Sequence, residues 1–230
     1  MISRNGKYLM ITGHVVPDTA PRTIWPEASI MPLLSTRTRL SVSSTSANDT
    51  KGGSGASSIL VQGYNENGNR IEISVDLKGQ TPVYLNDMWT SLEYVKVQKA
   101  SSSGNLGIIR VGSGAVAGGV PAVVYEHIPI GEECSQALRY TVPNNYALTV
   151  HRIQLSRAVS HEVKIVVKNV NSDHSLSIES LIYSSGPGSS VFELGYVFDR
   201  WETFTLEVSE DSGSGEPIYA KAYCELSKLI

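Results

Sequence analysis

No run of apolar residues in this chain approaches the roughly 20 that a membrane-spanning helix requires, which excludes a helical anchor. Lysine and arginine never gather into a stripe, and the formal net charge is −3. Phosphate neutralisation needs concentrated positive charge, so nucleic acid is not an expected partner. The opening residues Met1 to Lys7 lack the apolar stretch of a secretory signal. The expectation is a chain used without export, or one whose leader has been removed. Cysteine is scarce as well. Cys134 and Cys224 are the two present, and geometry alone decides whether they bond. The simpler reading is two small thiols, with Cys224 in step with Ile218, Ala220 and Ala222 on an inward strand face.

Catalytic patterns are missing too. His14, His127, His151, His161 and His174 never fall at metal-ligand spacing, and no cysteine stands close to them. There is no Gly-x-Ser-x-Gly elbow. The clusters Gly52-Gly53-Ser54-Gly55 and Gly186-Pro187-Gly188 do not lead into a helix, so they form no phosphate cradle. Carboxylates are scattered, and Glu132-Glu133 and Glu210-Asp211 are sequence neighbours that point apart in a strand or turn. Asn65 to Asn69 lacks the leading Asp and distal Glu of a calcium loop. Asn48-Asp49-Thr50 matches a glycosylation sequon, a three-residue pattern common by chance. These absences predict a non-enzymatic chain with no cofactor and no metal.

What the chain does contain is period-two alternation. Hydrophobic residues make up 41% and charged residues 18%, with eleven Tyr against three Phe and three Trp. That balance suits many short strands joined by polar turns. In Arg70 to Leu77, Ile71, Ile73, Val75 and Leu77 share one face and Arg70, Glu72, Ser74 and Asp76 the other. Ile73 is the expected centre of the buried face. With Ser58 to Gln62 before it and Asn67-Gly68 between, this predicts an antiparallel hairpin. Thr203 to Val208 and Ile218 to Cys224 predict a second one, and His161 to Lys168 another strand turning over Asn169 to Ser175. Further strands are expected near Lys7–Val16, Arg39–Ser43, Ser91–Val97, Gly107–Val111, Ala122–Ile128, Gln136–Val142, Ala147–Ser156, Leu176–Tyr183 and Val191–Phe198.

The fold class that follows is all-β, an antiparallel β-sandwich or jelly roll in two β domains. Residues 113–119, small and uncharged, read as a linker. They divide an N-terminal sandwich over 35–112 from a jelly-roll-like domain over 120–230, where about eight candidate strands match the jelly-roll number. Pro17, Pro21, Pro26 and Pro32 argue against a central strand before residue 35. Because this stretch also carries Ile24, Trp25, Ile30 and Met31, it reads as an extended arm over 1–34 that docks on a neighbour or closes its own sandwich. The candidate interface residues are Ile24, Trp25 and Met31 in the arm, Tyr64 at a hairpin tip, and Trp201 after a turn, since aromatic side chains on loops are enriched as interface anchors.

Ser46-Ala47-Asn48-Asp49-Thr50, Gly53, Gly55-Ala56, Val61-Gln62-Gly63, Glu72, Leu77 and Gly79 resemble a recurring segment of tailed-bacteriophage virion proteins. Gly104-Asn105-Leu106-Gly107-Ile108-Ile109 continues the likeness, and Ile128-Pro129-Ile130-Gly131 followed by Tyr140-Thr141-Val142-Pro143 is similar to a second phage-type element. The resemblance implies a virion structural protein, either a capsid decoration (cement) protein or a tail-associated adaptor, fibre or receptor- or glycan-binding module. It implies assembly in the host bacterial cytoplasm, the major capsid protein or other virion proteins as partners, and a homo-oligomer. It transfers no catalytic residue.

Overall fold

Alternation in the sequence becomes strand throughout. The computed structural model describes residues 7–15, 22–23, 32, 34, 36–135, 137–143, 145–157, 162–170, 176–184, 188–210 and 217–229. The strands are β1 (Lys7–Val15), β2 (Arg22–Thr23), β3 (Thr38–Ser44), β4 (Ala56–Asn65), β5 (Arg70–Asp76), β6 (Val83–Ala100), β7 (Ile109–Ala117) and β8 (Val120–Ile128). They continue as β9 (Arg139–Thr141), β10 (Tyr146–Arg157), β11 (Val163–Val170), β12 (Leu176–Ser184), β13 (Gly188–Phe198), β14 (Thr203–Glu210) and β15 (Ile218–Lys228). Among the described residues there is no helix.

The chain divides into two units, one of residues 1–30 and 136–230 and the other of residues 31–135. This corrects the sequence-based boundary. Residues 113–119 are no linker: they finish β7 and turn into β8, with Ala117 paired to Val120. Gly118 and Gly119 have φ of 56° and 79°, the positive pair that a two-residue hairpin turn demands. Glycine-rich and uncharged composition suits a linker and a tight turn equally, and the flanking apolar residues decide for the turn.

The discontinuous unit is a jelly roll. One sheet runs β1-β15-β10-β13, so the first strand lies beside the last. The other runs β12-β11-β14, with β2 and β9 both on the remaining edge of β14. From β10 onward the chain crosses to β11 and β12, back to β13, over to β14 and back to β15. That is the double Greek-key path of an eight-stranded jelly roll, with one strand position shared by β2 and β9. Thr23 faces Glu207 and Arg139 faces Thr205, so the chain leaves for residues 31–135 and returns at adjacent places on β14. The expected hairpin of Thr203–Val208 with Ile218–Cys224 does not form, because β14 and β15 belong to different sheets. Each finds two long-range neighbours in its own sheet, and those ladders outweigh the local turn. Val150, Ile153, Leu155, Ala220, Ala222 and Cys224 from one sheet meet Val163, Ile165, Val167, Phe204, Leu206 and Val208 from the other in a single core. Phe198 and Phe204 touch edge to face within it, ring centroids 5.4 Å apart.

Residues 31–135 form one six-stranded sheet, ordered β5-β4-β6-β3-β7-β8. The long strand β6 exchanges neighbours along its length: residues 83–89 pair with β3, and residues 89–100 with β4. Trp89, fully buried, stands at the exchange, paired with both Thr38 and Asn65. The edge strands β5 and β8 give Val75 and Ile128 to the same core, so the sheet curls around its own apolar face. The expected β4–β5 hairpin is present, its turn held by Asn65 Oδ1, which accepts from the amides of Asn67 and Asn69. Its buried face is displaced from the expected centre. Val75 is buried and the side chain of Ile73 only partly so, because β5 is an edge strand with β4 as its neighbour.

The loop after β3 is organised by one carboxylate. Asp49 is fully buried, and its Oδ1 accepts from the amides of Ala56 and Leu106, each at 2.9 Å. Its Oδ2 accepts from the amide of Gly107 at 2.9 Å and from the Ser44 hydroxyl at 2.5 Å. Asn105, also buried, donates to the carbonyls of Gly107 and Pro129 and accepts from the Gly131 amide. Replacing Asp49 by Ala leaves three backbone N–H groups buried without an acceptor, each costing on the order of 1–3 kcal/mol. Asp49→Ala is therefore expected to lower stability by at least about 3 kcal/mol in chemical denaturation, whereas Glu72→Ala, on the outward face, stays within about 0.5 kcal/mol.

Neither cysteine forms a disulfide. Burial pushes the Cys224 thiol from an ordinary value of 9.0 up to about 12. The folded state thus prefers the neutral thiol. This contribution to stability is complete below pH 9 and is lost as the pH rises toward 12. A fall in melting temperature over that alkaline window is expected, shallower in Cys224→Ala. Native chain should react with a thiol reagent at the half-buried Cys134 first, and at Cys224 only on unfolding.

Candidate functional site

Among the described residues, the exposed large apolar groups of the jelly roll lie on the outward face of the β1-β15-β10-β13 sheet. Strand alternation places Tyr8, Met10, Thr12 and His14 outward from β1, and Tyr219, Lys221, Tyr223 and Glu225 outward from β15. The register sets these side by side in four rows: Tyr8 beside Glu225, Met10 beside Tyr223, Thr12 beside Lys221 and His14 beside Tyr219. Strands β10 and β13 extend them with Arg152 and Glu193 in one row and Gln154 and Val191 in the next. Tyr8 is 78% exposed, and Met10, Val191, Val197 and Tyr219 are each more than half exposed.

Polar contacts hold these side chains in place. The Arg152 guanidinium lies 4.1 Å from the centre of the Tyr223 ring. The Tyr223 hydroxyl donates to Gln154 Oε1 at 3.0 Å, and Gln154 Nε2 donates to Ser189 Oγ at 2.9 Å. The His14 and Tyr219 rings lie 5.5 Å apart at 35°, and His151 Nε2 is 3.3 Å from Glu225 Oε2. A face of fixed aromatic and aliphatic groups threaded with polar contacts suits protein association: aromatic groups are enriched in interfaces, and preset rotamers reduce the entropy lost on binding. Among the described residues, no group of three or more His, Cys, Asp or Glu side chains is placed to hold a metal ion.

The expected anchors fall elsewhere. Ile24, Trp25 and Met31, with the rest of the supposed arm apart from β2 and residues 7–15, 32 and 34, lie outside the described residues. Tyr64 is 3% exposed and sits within β4, opposite Arg70 and Ser91, so it is a core residue and not a hairpin tip. Trp201 is half-buried in the turn between β13 and β14, at φ 68°. Its amide donates to the Val142 carbonyl, and the Val142 amide to the Glu202 carbonyl, both at 2.8 Å. These bonds fix Trp201 in a backbone conformation rare for a bulky residue. The two aromatics belong to different units. The sequence reading looked for aromatics on loops. Yet the alternation that turned Ile218, Ala220, Ala222 and Cys224 inward already placed Tyr219 and Tyr223 outward.

No family model matches this sequence, and no curated protein matches it significantly. Solved structures similar to the chain include that of infectious bursal disease virus Gt strain, at 9% identity over 100% of this chain and 73% of that chain, with a TM-score of 0.25. The Gx strain structure gives 8% identity over 97% and 72%, with a TM-score of 0.28. The T=1 particles derived from infectious bursal virus give 9% over 100% and 79%, with a TM-score of 0.23.

Tyr223 is the centre of the polar scaffold on this face. Tyr223→Ala removes both the Arg152 stacking and the Gln154 hydrogen bond and should cost about 1–2 kcal/mol. Val191→Thr, on the same face but without such contacts, should stay within about 0.5 kcal/mol. Urea denaturation of the two variants checks the difference.

Proposed function

We propose that this chain is a non-enzymatic structural component of a virus particle, and in particular a decoration protein on the outside of a tailed-bacteriophage capsid. The observation that carries this reading is the broad outward face of the jelly-roll sheet, with Tyr8, Met10, Val191, Val197 and Tyr219 exposed on rigid strands. Jelly rolls serve in viral capsids, lectins and cupins. Work done through a strand face differs from work done in a pocket, and such a face acts by covering another surface. A copy that spans two coat subunits adds contact surface to both, each specific contact burying roughly 1,200–2,000 Å². Separating the subunits then requires those contacts to break as well.

A count of copies in purified particles by quantitative mass spectrometry tests the reading. Hundreds of copies support decoration. A handful, in multiples of three or six, overturns decoration in favour of a tail-associated adaptor or receptor-binding module, and complete absence overturns the virion reading. In the same experiment, Met10→Asp/Tyr219→Asp should fold normally and be lost from the particles.

A further inference from the structure

The two edges of the outward-facing sheet are built differently. On β13, the ladder with β10 breaks its register between Val150 and Arg152, and Glu193 stands in mid-strand. Bulges and charges of this kind discourage further pairing. On β1, no such device is present. Its nine residues pair with β15 one for one, from Lys7 with Leu226 to Val15 with Ile218, with no break. It contains no proline, and after Lys7 no Asp, Glu, Lys or Arg. Among the described residues, β15 is the one strand beside it. Its inward Leu9 and Ile11 are half-buried, whereas Ile218, Ala220 and Ala222 on β15 are at most 1% exposed. The core is thus less complete on the β1 side.

We propose that β1 pairs antiparallel with β1 of a second copy, about a two-fold axis at Ile11, joining two four-stranded sheets into one of eight. The strand is complementary to itself in that register. Lys7 meets Val15 of the second copy, so no like charges face each other. Leu9 meets Gly13, where the missing side chain leaves room for the leucine, and Met10 meets Thr12. Tyr8 meets His14 of the second copy, which already stacks on Tyr219 of its own chain, and the aromatic row runs on across the axis. Inward residues meet inward residues throughout, so both sandwich cores close together. An isologous pairing needs one strand to carry both halves of the match, and β1 does. The pairing is independent of the virion reading.

The test is the mass of the full chain in solution, by sedimentation equilibrium across micromolar concentrations. A reversible dimer is expected. Met10→Lys/Thr12→Lys places two pairs of positive charges opposite each other and should weaken dimerisation at least about tenfold. Met10→Glu/Thr12→Lys should restore it, because opposite charges then meet at both places. Both variants carry Lys at position 12 beside Lys221, so any cost to the fold from that pair is common to the two and cancels in their comparison; hydrogen exchange of the β1 amides in the unmodified chain, more protected at high concentration, gives the same answer without a variant. A chain that stays monomeric throughout overturns the proposal, as does a double-lysine variant that dimerises as tightly as the original. A monomer that still decorates particles overturns the pairing and leaves the virion reading standing. A dimer absent from particles supports the pairing alone.

Discussion

The carboxylate of Asp49 is out of contact with water, and donors from three separate segments converge on it: Ser44 at the end of β3, Ala56 at the start of β4, and Leu106 with Gly107 before β7. Burying a charge is costly unless hydrogen bonds replace its hydration. Here four charge-assisted bonds do so. The backbone must come very close for this to work. A Cβ at Gly55 would stand 2.0 Å from Asp49 Oδ1, and one at Gly119 would stand 1.9 Å from the Ser44 carbonyl oxygen. The β7–β8 turn is therefore seated against the end of β3 by the same requirement that places Asp49. Remove the carboxylate, and the β3–β4 and β6–β7 connections of this sheet lose the bonds that hold them together.

This knot also explains the residues that carry the sequence resemblance. Ser46, Asn48, Asp49, Gly53, Gly55, Gly79, Asn105 and Gly107 are scattered over sixty positions, yet the structure gathers them around one loop. Gly79 donates to the Asp49 carbonyl at 2.8 Å, and Gly55 to that of Asn48 at 3.1 Å. Their role is to hold backbone, which is why a motif so polar yields no chemistry. The glycosylation sequon at Asn48 is likewise part of this loop, with Asp49 facing inward.

The extent of legibility follows from which forces are local. Alternation fixes which segments are strands because burial on one face acts on every second residue, and β1, β3, β8, β10, β12 and β13 lie close to their expected bounds. Pairing is a contest among distant segments, and there the local turn misled: β14 and β15 lie in different sheets despite the loop that joins them. The domain boundary failed for the same reason. Composition does not separate a linker from a tight turn, and an insertion leaves no mark of its own, since β2 and β9 are too short to show any period. The outward face was legible in part, because the parity that buries Cys224 exposes Tyr223. That it forms a surface with Tyr8 and Met10 depends on the β1–β15 ladder, and that ladder joins the two ends of the chain.

The two short strands β2 and β9 both pair with β14, so they leave the other sheet of the jelly roll uninterrupted. The β1-β15-β10-β13 sheet consists of four long strands, and its outward side chains stand in rows that the β1–β15 ladder keeps one for one and that β10 offsets at its register break. A face of this kind can be matched by another regular surface, whereas a loop-built site is matched by one shape. The physical consequence is a division of labour within one sandwich. The edge of β14 tolerates an insertion because β2 and β9 make only short pairings there, and the long-strand sheet keeps the rigidity that a repeated contact requires. Contact energy summed over a broad face depends on many side chains holding their rotamers at once, and the Arg152–Tyr223–Gln154–Ser189 chain supplies that constraint where solvent would otherwise leave them free.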